Sequence, residues 1–218
     1  IDAGNSDKLR LENKTELTLE AWVNVDSYTS QRMILSKFGS GDNGFNLAVE
    51  TNGKASFAVN TGSWSAITSN TVLNLGEWYH ITGTYDGSNI RIYINGVEEG
   101  LLSATGSIND TPLSNLRIGN WGNGGGHFKG SIDEVRIWNV QKTLTEITDS
   151  KDCELEGNET GLVTYYNFNQ GFAAEDNTAI ATLNDETSNG NNGTLNNFAL
   201  TTANSNWLAG SPVSTGSS

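Results

Sequence analysis

Basic residues are scarce: 12 Lys and Arg stand against 25 Asp and Glu, a formal charge of −13 with a pI near 4.4. So few cations exclude the basic patch that nucleic-acid-binding domains need, and an anionic lipid surface would repel the chain. Cysteine is nearly absent. The single Cys153 excludes an internal disulfide, so stability has to come from the core or from a device such as a bound metal. Two histidines exclude a His-rich zinc site. No apolar run is long enough to cross a bilayer as a helix, so membrane insertion is not expected. Hydrophobic residues make up only 35% of the chain, and the core must lean on six Trp, six Tyr and seven Phe. No secretory leader is recognisable, and the first residue is Ile1. A processed or excised chain is expected, and its start says nothing of location.

What the chain has in quantity is glycine, 25 residues, set with Asn and Asp between short apolar runs. The stretch Gly76–Gly96 shows the pattern best. Tyr79, Ile81 and Tyr85 alternate, then Ile90, Ile92 and Ile94 alternate, with Asp86–Gly87 between them and Asn95–Gly96 after them. Asp-Gly and Asn-Gly tolerate the positive φ of tight hairpins, so this is a two-strand ribbon with a further strand turning off its end. Leu17, Leu19, Ala21, Val23 and Val25 form another strand by the same rule, and Arg32–Lys37 a shorter one. Phe45, Leu47 and Val49 pair with Ala55, Phe57 and Val59 through the turn Thr51–Lys54. Residues 60–65 read as a loop carrying Trp64, and Ala66–Thr71 as a lead into the ribbon. Further strands are expected at Leu116–Ile118, His127–Trp138, Gly161–Phe168 and Thr194–Leu200. Thr143–Glu146 has the form of a capping box and opens the only expected helix. The sum is an all-β fold, an antiparallel β-sandwich of jelly-roll type with one short helix. One domain is expected over residues 1–208, with 161–208 completing the sandwich, Trp207 pinning the end, and 209–218 a flexible tail.

Three motifs in order carry a resemblance: LTLEAWVNVD, GEWYHITGTYDGSNIRIYINGVEEG and FKGSIDEVRIWN. Together they resemble the LamG-like (laminin G/pentraxin-type) jelly roll of the concanavalin A-like lectin/glucanase superfamily, over about residues 1–148. The later GLVTYYNFNQG and DETSNGNNGTLNN resemble the segment found at the edges of such domains in secreted bacterial proteins. The resemblance implies a fold that carries lectins, adhesion modules, carbohydrate-binding modules and enzymes alike.

Asp133 is the most informative acid. By period two it shares a face with Val135 and Ile137, and a carboxylate on a core face costs several kcal/mol unless neutralised. A Ca²⁺ ion would neutralise it, with Asp185, Asn189 and backbone oxygens of Gly39–Gly44 as further ligands. The resemblance implies the same structural calcium. The competing reading is an Asp133 that accepts backbone N–H bonds with no metal. Trp64, Trp121, Tyr28 and His127 lie in or beside loops on an Asn- and Asp-rich rim. Such rings suit the apolar face of a pyranose while amides meet its hydroxyls; alternatively, each ring packs beneath its own loop. Trp22, Trp78, Trp138 and His80 read as structural, and Cys153 as an inert thiol. For catalysis, Glu-x-Asp spacing occurs nowhere, and Asp152-Cys-Glu154-Leu-Glu156 falls in an expected loop. No serine elbow, phosphate loop or HExxH is present.

The expectation is therefore a non-catalytic carbohydrate-binding, lectin-like module of a secreted or cell-surface bacterial protein. Its partner would be a polysaccharide, with other domains of the same polypeptide beside it. Two alternatives stay open. One is a protein-binding adhesion or spacer module without sugar affinity; the other is a polysaccharide lyase or glycoside hydrolase with an unrecognised site.

Overall fold

The computed structural model describes residues 1–38, 43–110, 113–122, 125–201 and 205–213. The alternating runs do form strands: β1 (Asp2–Gly4), β2 (Leu17–Val25), β3 (Arg32–Lys37), β4 (Phe45–Val49), β5 (Lys54–Asn60), β6 (Trp64–Val72) and β7 (Trp78–Tyr85). They continue with β8 (Asn89–Ile94), β9 (Val97–Ser103), β10 (Leu116–Ile118), β11 (Gly130–Trp138), β12 (Leu162–Tyr166), β13 (Thr182–Leu183) and β14 (Gly193–Thr194). Two antiparallel sheets result. The larger has the order β13-β14-β1-β10-β3-β4-β5-β6, the smaller β12-β11-β2-β7-β8-β9. Both Asn95 and Gly96 hold positive φ (52° and 77°), as a two-residue type I′ hairpin requires.

The inner faces meet in one core. Leu17, Leu19, Ala21 and Val23 of β2 lie against Phe45, Leu47, Phe57 and Val59 of β4 and β5, all fully or almost fully buried. At Gly83 of β7 the sheets pack closely. A Cβ there would overlap the Phe57 ring.

The middle of the smaller sheet's outer face is covered as well. α1 (Leu144–Ser150) starts at the expected capping box: Thr143 Oγ1 accepts from Glu146 N, and the Glu146 carboxylate accepts from Thr143 N at 2.8 Å. The carbonyls at its far end are taken up from below. Arg136 Nη1 donates to Ser150 O (3.0 Å) and Trp22 Nε1 to Lys151 O (2.7 Å). Beneath, a buried polar network forms. Arg136 pairs with Glu134 (2.6 Å), Tyr165 Oη donates to Glu134, Trp138 Nε1 donates to Glu20 (2.6 Å), and His80 Nε2 lies 3.3 Å from Glu20. Burial pushes the Glu134 carboxyl up to about 7 and holds His80 below the usual imidazole range. His80 is thus structural, in line with its reading from sequence.

Three expectations need correction. Trp64 is not in a loop but opens β6, opposite Asn60. The strand expected at Thr194–Leu200 contracts to Gly193–Thr194, beyond which Leu195 and Leu200 pack on the core from irregular chain. The third concerns β11. Asp133 stands opposite Trp22 while Arg136 stands opposite Glu20, so β11 carries one extra residue and Glu134 has a φ of +53°. This bulge breaks the period of two. Ile132, opposite Val23, keeps the inner face, and Asp133 turns outward with Trp22. Of residues 209–218, expected as a tail, Val213 is buried and Ser211 bonds to Asp133; residues 214–218 lie outside the described residues.

The close approach at Gly83 yields a prediction. Gly83→Ala has to push Phe57 or separate the sheets, costing about 1–3 kcal/mol, so urea melts should show a lowered midpoint with an unchanged slope.

Candidate functional site

Among the described residues no helix covers the outer face of the larger sheet. Register puts Asp2, Arg117, Ser36, Asn46, Ala58 and Ala66 in one row across it, and Met33, Ala48, Ser56 and Thr68 in the next. The floor is made of small side chains because β4 and β5 put their large residues inward. Glu50, Thr51 and Asn52 of the β4–β5 turn, together with Gln31, rise at one end of these strands, and Trp64 rises at the other. Ser56 and Asn60 mark the two ends, four residues apart and so separated by roughly 13 Å along the strand. Between them lies a shallow open groove of ≈ 520 Å³ lined by amides, hydroxyls and alanines. Its volume falls within the range of small-ligand sites, while its lining is more polar than most of them.

The indole of Trp64 is part of a cluster. Its ring meets Phe38 edge-on at 6.0 Å and 83°, and Phe38 meets Trp121 at 6.1 Å and 74°. Both geometries are the edge-to-face arrangement that aromatic quadrupoles favour. All three rings are half-buried. Trp121 beds on the backbone of Gly125 and Gly126, where a Cβ on either would crowd its ring. At the other end, Glu50 Oε1 accepts from Gln31 Nε2 (2.8 Å) and Ser56 Oγ (2.5 Å).

The four residues expected to contact sugar therefore part company. Trp64 and Trp121 are brought together through Phe38, which sequence reasoning passed over. The usable signal was its position, an aromatic directly after β3 and before the glycine-rich 39–44 stretch. Tyr28 packs on the core from beneath the β4–β5 turn, so close that a Cβ on Gly53 would strike its ring. His127 is exposed and lines a different cleft of ≈ 870 Å³, shared with Trp78, Asp133, Phe168 and the 205–211 segment. Its own backbone carbonyl accepts from Arg32.

The three expected metal ligands also sit apart. Asp133 is buried, Oδ1 accepting from Glu134 N and Oδ2 from Ser211 Oγ, both at 2.9 Å. Desolvation pushes its carboxyl up to about 6. Asp185 instead organises its own turn. Its oxygens accept from the backbone N–H groups of Tyr165, Thr187 and Asn191 and from the Thr187 hydroxyl. Asn189 Nδ2 donates to Val163 O at 2.9 Å. This turn lies across β12 from β11, and Tyr165 is level with Arg136, three residues from Asp133 and so roughly 10 Å along the strand. Asp133, Asp185 and Asn189 do not fit one calcium shell. Of the backbone donors expected from Gly39–Gly44, positions 39–42 lie outside the described residues. Among the described residues no group of three or more His, Cys, Asp or Glu side chains is placed to hold a metal.

Comparison with known proteins fits this architecture. Residues 3–148 match the family model Laminin_G_3, of the concanavalin A-like lectin/glucanases superfamily, and the chain belongs to that family. Mouse pappalysin-1 is 24% identical over 186 residues, which is 73% of this chain and 11% of that protein. Among solved structures, a candidate carbohydrate-binding protein of Bacteroides ovatus superposes with a TM-score of 0.68 at 22% identity, covering 84% of this chain and 52% of the other. Domain 4 of AbnA, an extracellular arabinanase of Geobacillus stearothermophilus solved with arabinotriose, gives 0.55 at 22% identity over 65% and 68%. The carbohydrate-binding module of a Ruminococcus gnavus IT-sialidase, solved with α2,3-sialyllactose, gives 0.55 at 14% over 62% and 82%. This chain thus spans about a tenth of the curated relative and about half of the Bacteroides protein. At these identities the solved structures share the fold with this chain. No helix among the described residues is long and apolar enough to cross a membrane.

The bonding of Asp185 makes a prediction about metal. Asp185→Asn loses acceptors for backbone N–H groups and should cost about 1–3 kcal/mol. The fall in melting temperature should be the same in calcium as in EDTA; a fall confined to calcium would mark Asp185 as a ligand.

Proposed function

We propose that the outer face of the larger sheet is a non-catalytic glycan-binding surface, belonging to a secreted or surface-attached bacterial protein. The observation that carries this reading is the Trp64–Phe38–Trp121 cluster standing beside a groove lined by Gln31, Asn46, Asn52 and Thr68. A sugar ring has an apolar C–H face and a hydroxyl edge. Aromatic rings desolvate the first, while amides and hydroxyls exchange hydrogen bonds with the second. The floor of Ala58, Ala66 and Ser56 lets a chain lie close to the sheet. The neighbouring sugar-binding domains of the arabinanase and the sialidase support the same reading by fold.

The groove also argues against glycoside hydrolysis within it. Two carboxylates must flank the scissile bond, and among the described residues lining the groove Glu50 is the sole carboxylate. The rival reading, a protein-contact module, has one observation in its favour: edge strand β9 exposes Val97 (62%), Leu101 (55%) and Leu102 (41%).

Affinity electrophoresis through gels containing plant, fungal and bacterial polysaccharides tests the proposal. At least one polymer should retard the protein, Trp64→Ala and Phe38→Ala should each weaken retention roughly tenfold, and His127→Ala should not. Retention by no polymer, or retention indifferent to both aromatic changes, would overturn it.

A further inference from the structure

The groove has one charged wall, and its sign limits what can lie there. Among the described residues Glu50 is the only ionisable one lining it, and two donors, Gln31 Nε2 and Ser56 Oγ, converge on the same oxygen, Oε1. Ser56 is nearly fully buried, so the carboxylate is held from the floor rather than swinging in solvent. Among the described residues Oε2 accepts no hydrogen bond, and Glu50 is half-buried where it lines the groove. Among the described residues no lysine or arginine lines the groove. Of the cations nearby, Arg117 on the same face is paired with Asp2 at 3.0 Å. Lys54 faces Glu50 across the hairpin, its carbonyl accepting from Glu50 N at 2.8 Å, but it is not among the lining residues. The whole chain adds a charge of −13.

Resting on the glycan-binding reading above, we infer that this site selects neutral polysaccharide and rejects uronate, sialylated or sulfated chains, with Glu50 as the specificity-determining residue. A fixed carboxylate can accept hydrogen bonds from two adjacent sugar hydroxyls, and charge-assisted bonds of this kind are stronger than neutral ones. An acidic sugar would instead meet a like charge with no Arg or Lys fork to bind it. At about 4 Å in water that repulsion alone is worth about fivefold in affinity per carboxylate, and more beside the low-dielectric sheet. The polymer's remaining charges would add to it in the field of an acidic protein.

The test compares wild type, Glu50→Gln and Trp64→Ala on neutral polymers (arabinan, xylan, galactomannan, β-glucan) and anionic ones (polygalacturonate, alginate, hyaluronan), at pH 7 in low and high salt. Wild type should be retarded by one or more neutral polymers, lose that retention with Trp64→Ala, and ignore every anionic polymer. Glu50→Gln should bind the neutral polymer about three- to tenfold more weakly and should narrow its preference over polygalacturonate. Trp64-dependent retention by an anionic polymer would overturn the charge inference while leaving the glycan site standing, as would a Glu50→Gln variant equal to wild type on the neutral polymer. Absence of any Trp64-dependent retention would instead bring down the site itself, and the inference with it. The wild-type screen needs no variant to fold; a melting curve on Glu50→Gln, which loses the carboxylate acceptor of Ser56, separates lost binding from lost structure.

Discussion

The rest of the structure depends on one extra residue in β11. Without the bulge at Glu134, strict alternation would place Asp133 in the core with Val135 and Ile137 and turn Ile132 outward. A bare carboxylate there would cost several kcal/mol. With it, Ile132, Val135 and Ile137 all point inward, while Asp133, Glu134 and Arg136 go to the outer face. The positive φ of Glu134 is an unfavoured conformation for a residue with a side chain, and the packing and bonding around it hold it there. Its carboxylate is held by Arg136 and Tyr165, and its N–H is taken by Asp133.

That choice makes the two outer faces of the sandwich unlike. On the smaller sheet, the outward charges of β11 become the seat for α1: Arg136 and Trp22 bond the carbonyls at the helix's C-terminal end, and Glu20, His80 and Trp138 fill the space beneath. A buried network of this kind adds little stability over an apolar core, but removing one member strands the others, at about 3–5 kcal/mol. It makes the middle of this face a closed surface. Among the described residues the larger sheet has no covering helix, and β4 and β5 spend their large residues on the core, which leaves alanines and serines outside. A trough with one aromatic end and one acidic end is what remains.

Much of the fold was legible from the chain because it is written in period-two runs and Asn-Gly or Asp-Gly turns: β2, β7 and β8, the β4–β5 hairpin and the capping box all lie where those signals put them. The bulge was not legible, since an extra residue looks the same in sequence as a continued strand until its partner is known. That misread Asp133 directly. Trp64 looked like a loop residue because Gly62 and Ser63 precede it, yet pairing with Asn60 makes it the first residue of β6. Of the candidate site, Trp64 and Trp121 stood out in the sequence as aromatics on a polar rim, but their union did not. It comes about because Phe38, directly after β3, lies between them, a contact no local pattern reports. Asp185 and Asn189 were read as ligands from residue type alone, whereas turns rich in Asp, Thr and Asn also use those side chains to bond their own backbone.

On the proposed reading, ligand meets the open sheet and not the covered one or the large cleft. The six tryptophan indole N–H resonances offer a direct test, since they report on separate regions of the molecule. Titration with a soluble oligosaccharide from a retained polymer should shift the signals of Trp64 and Trp121 and leave Trp22 and Trp138, under α1, in place. Shifts confined to Trp78 and Trp207, which line the cleft beside His127, would contradict it.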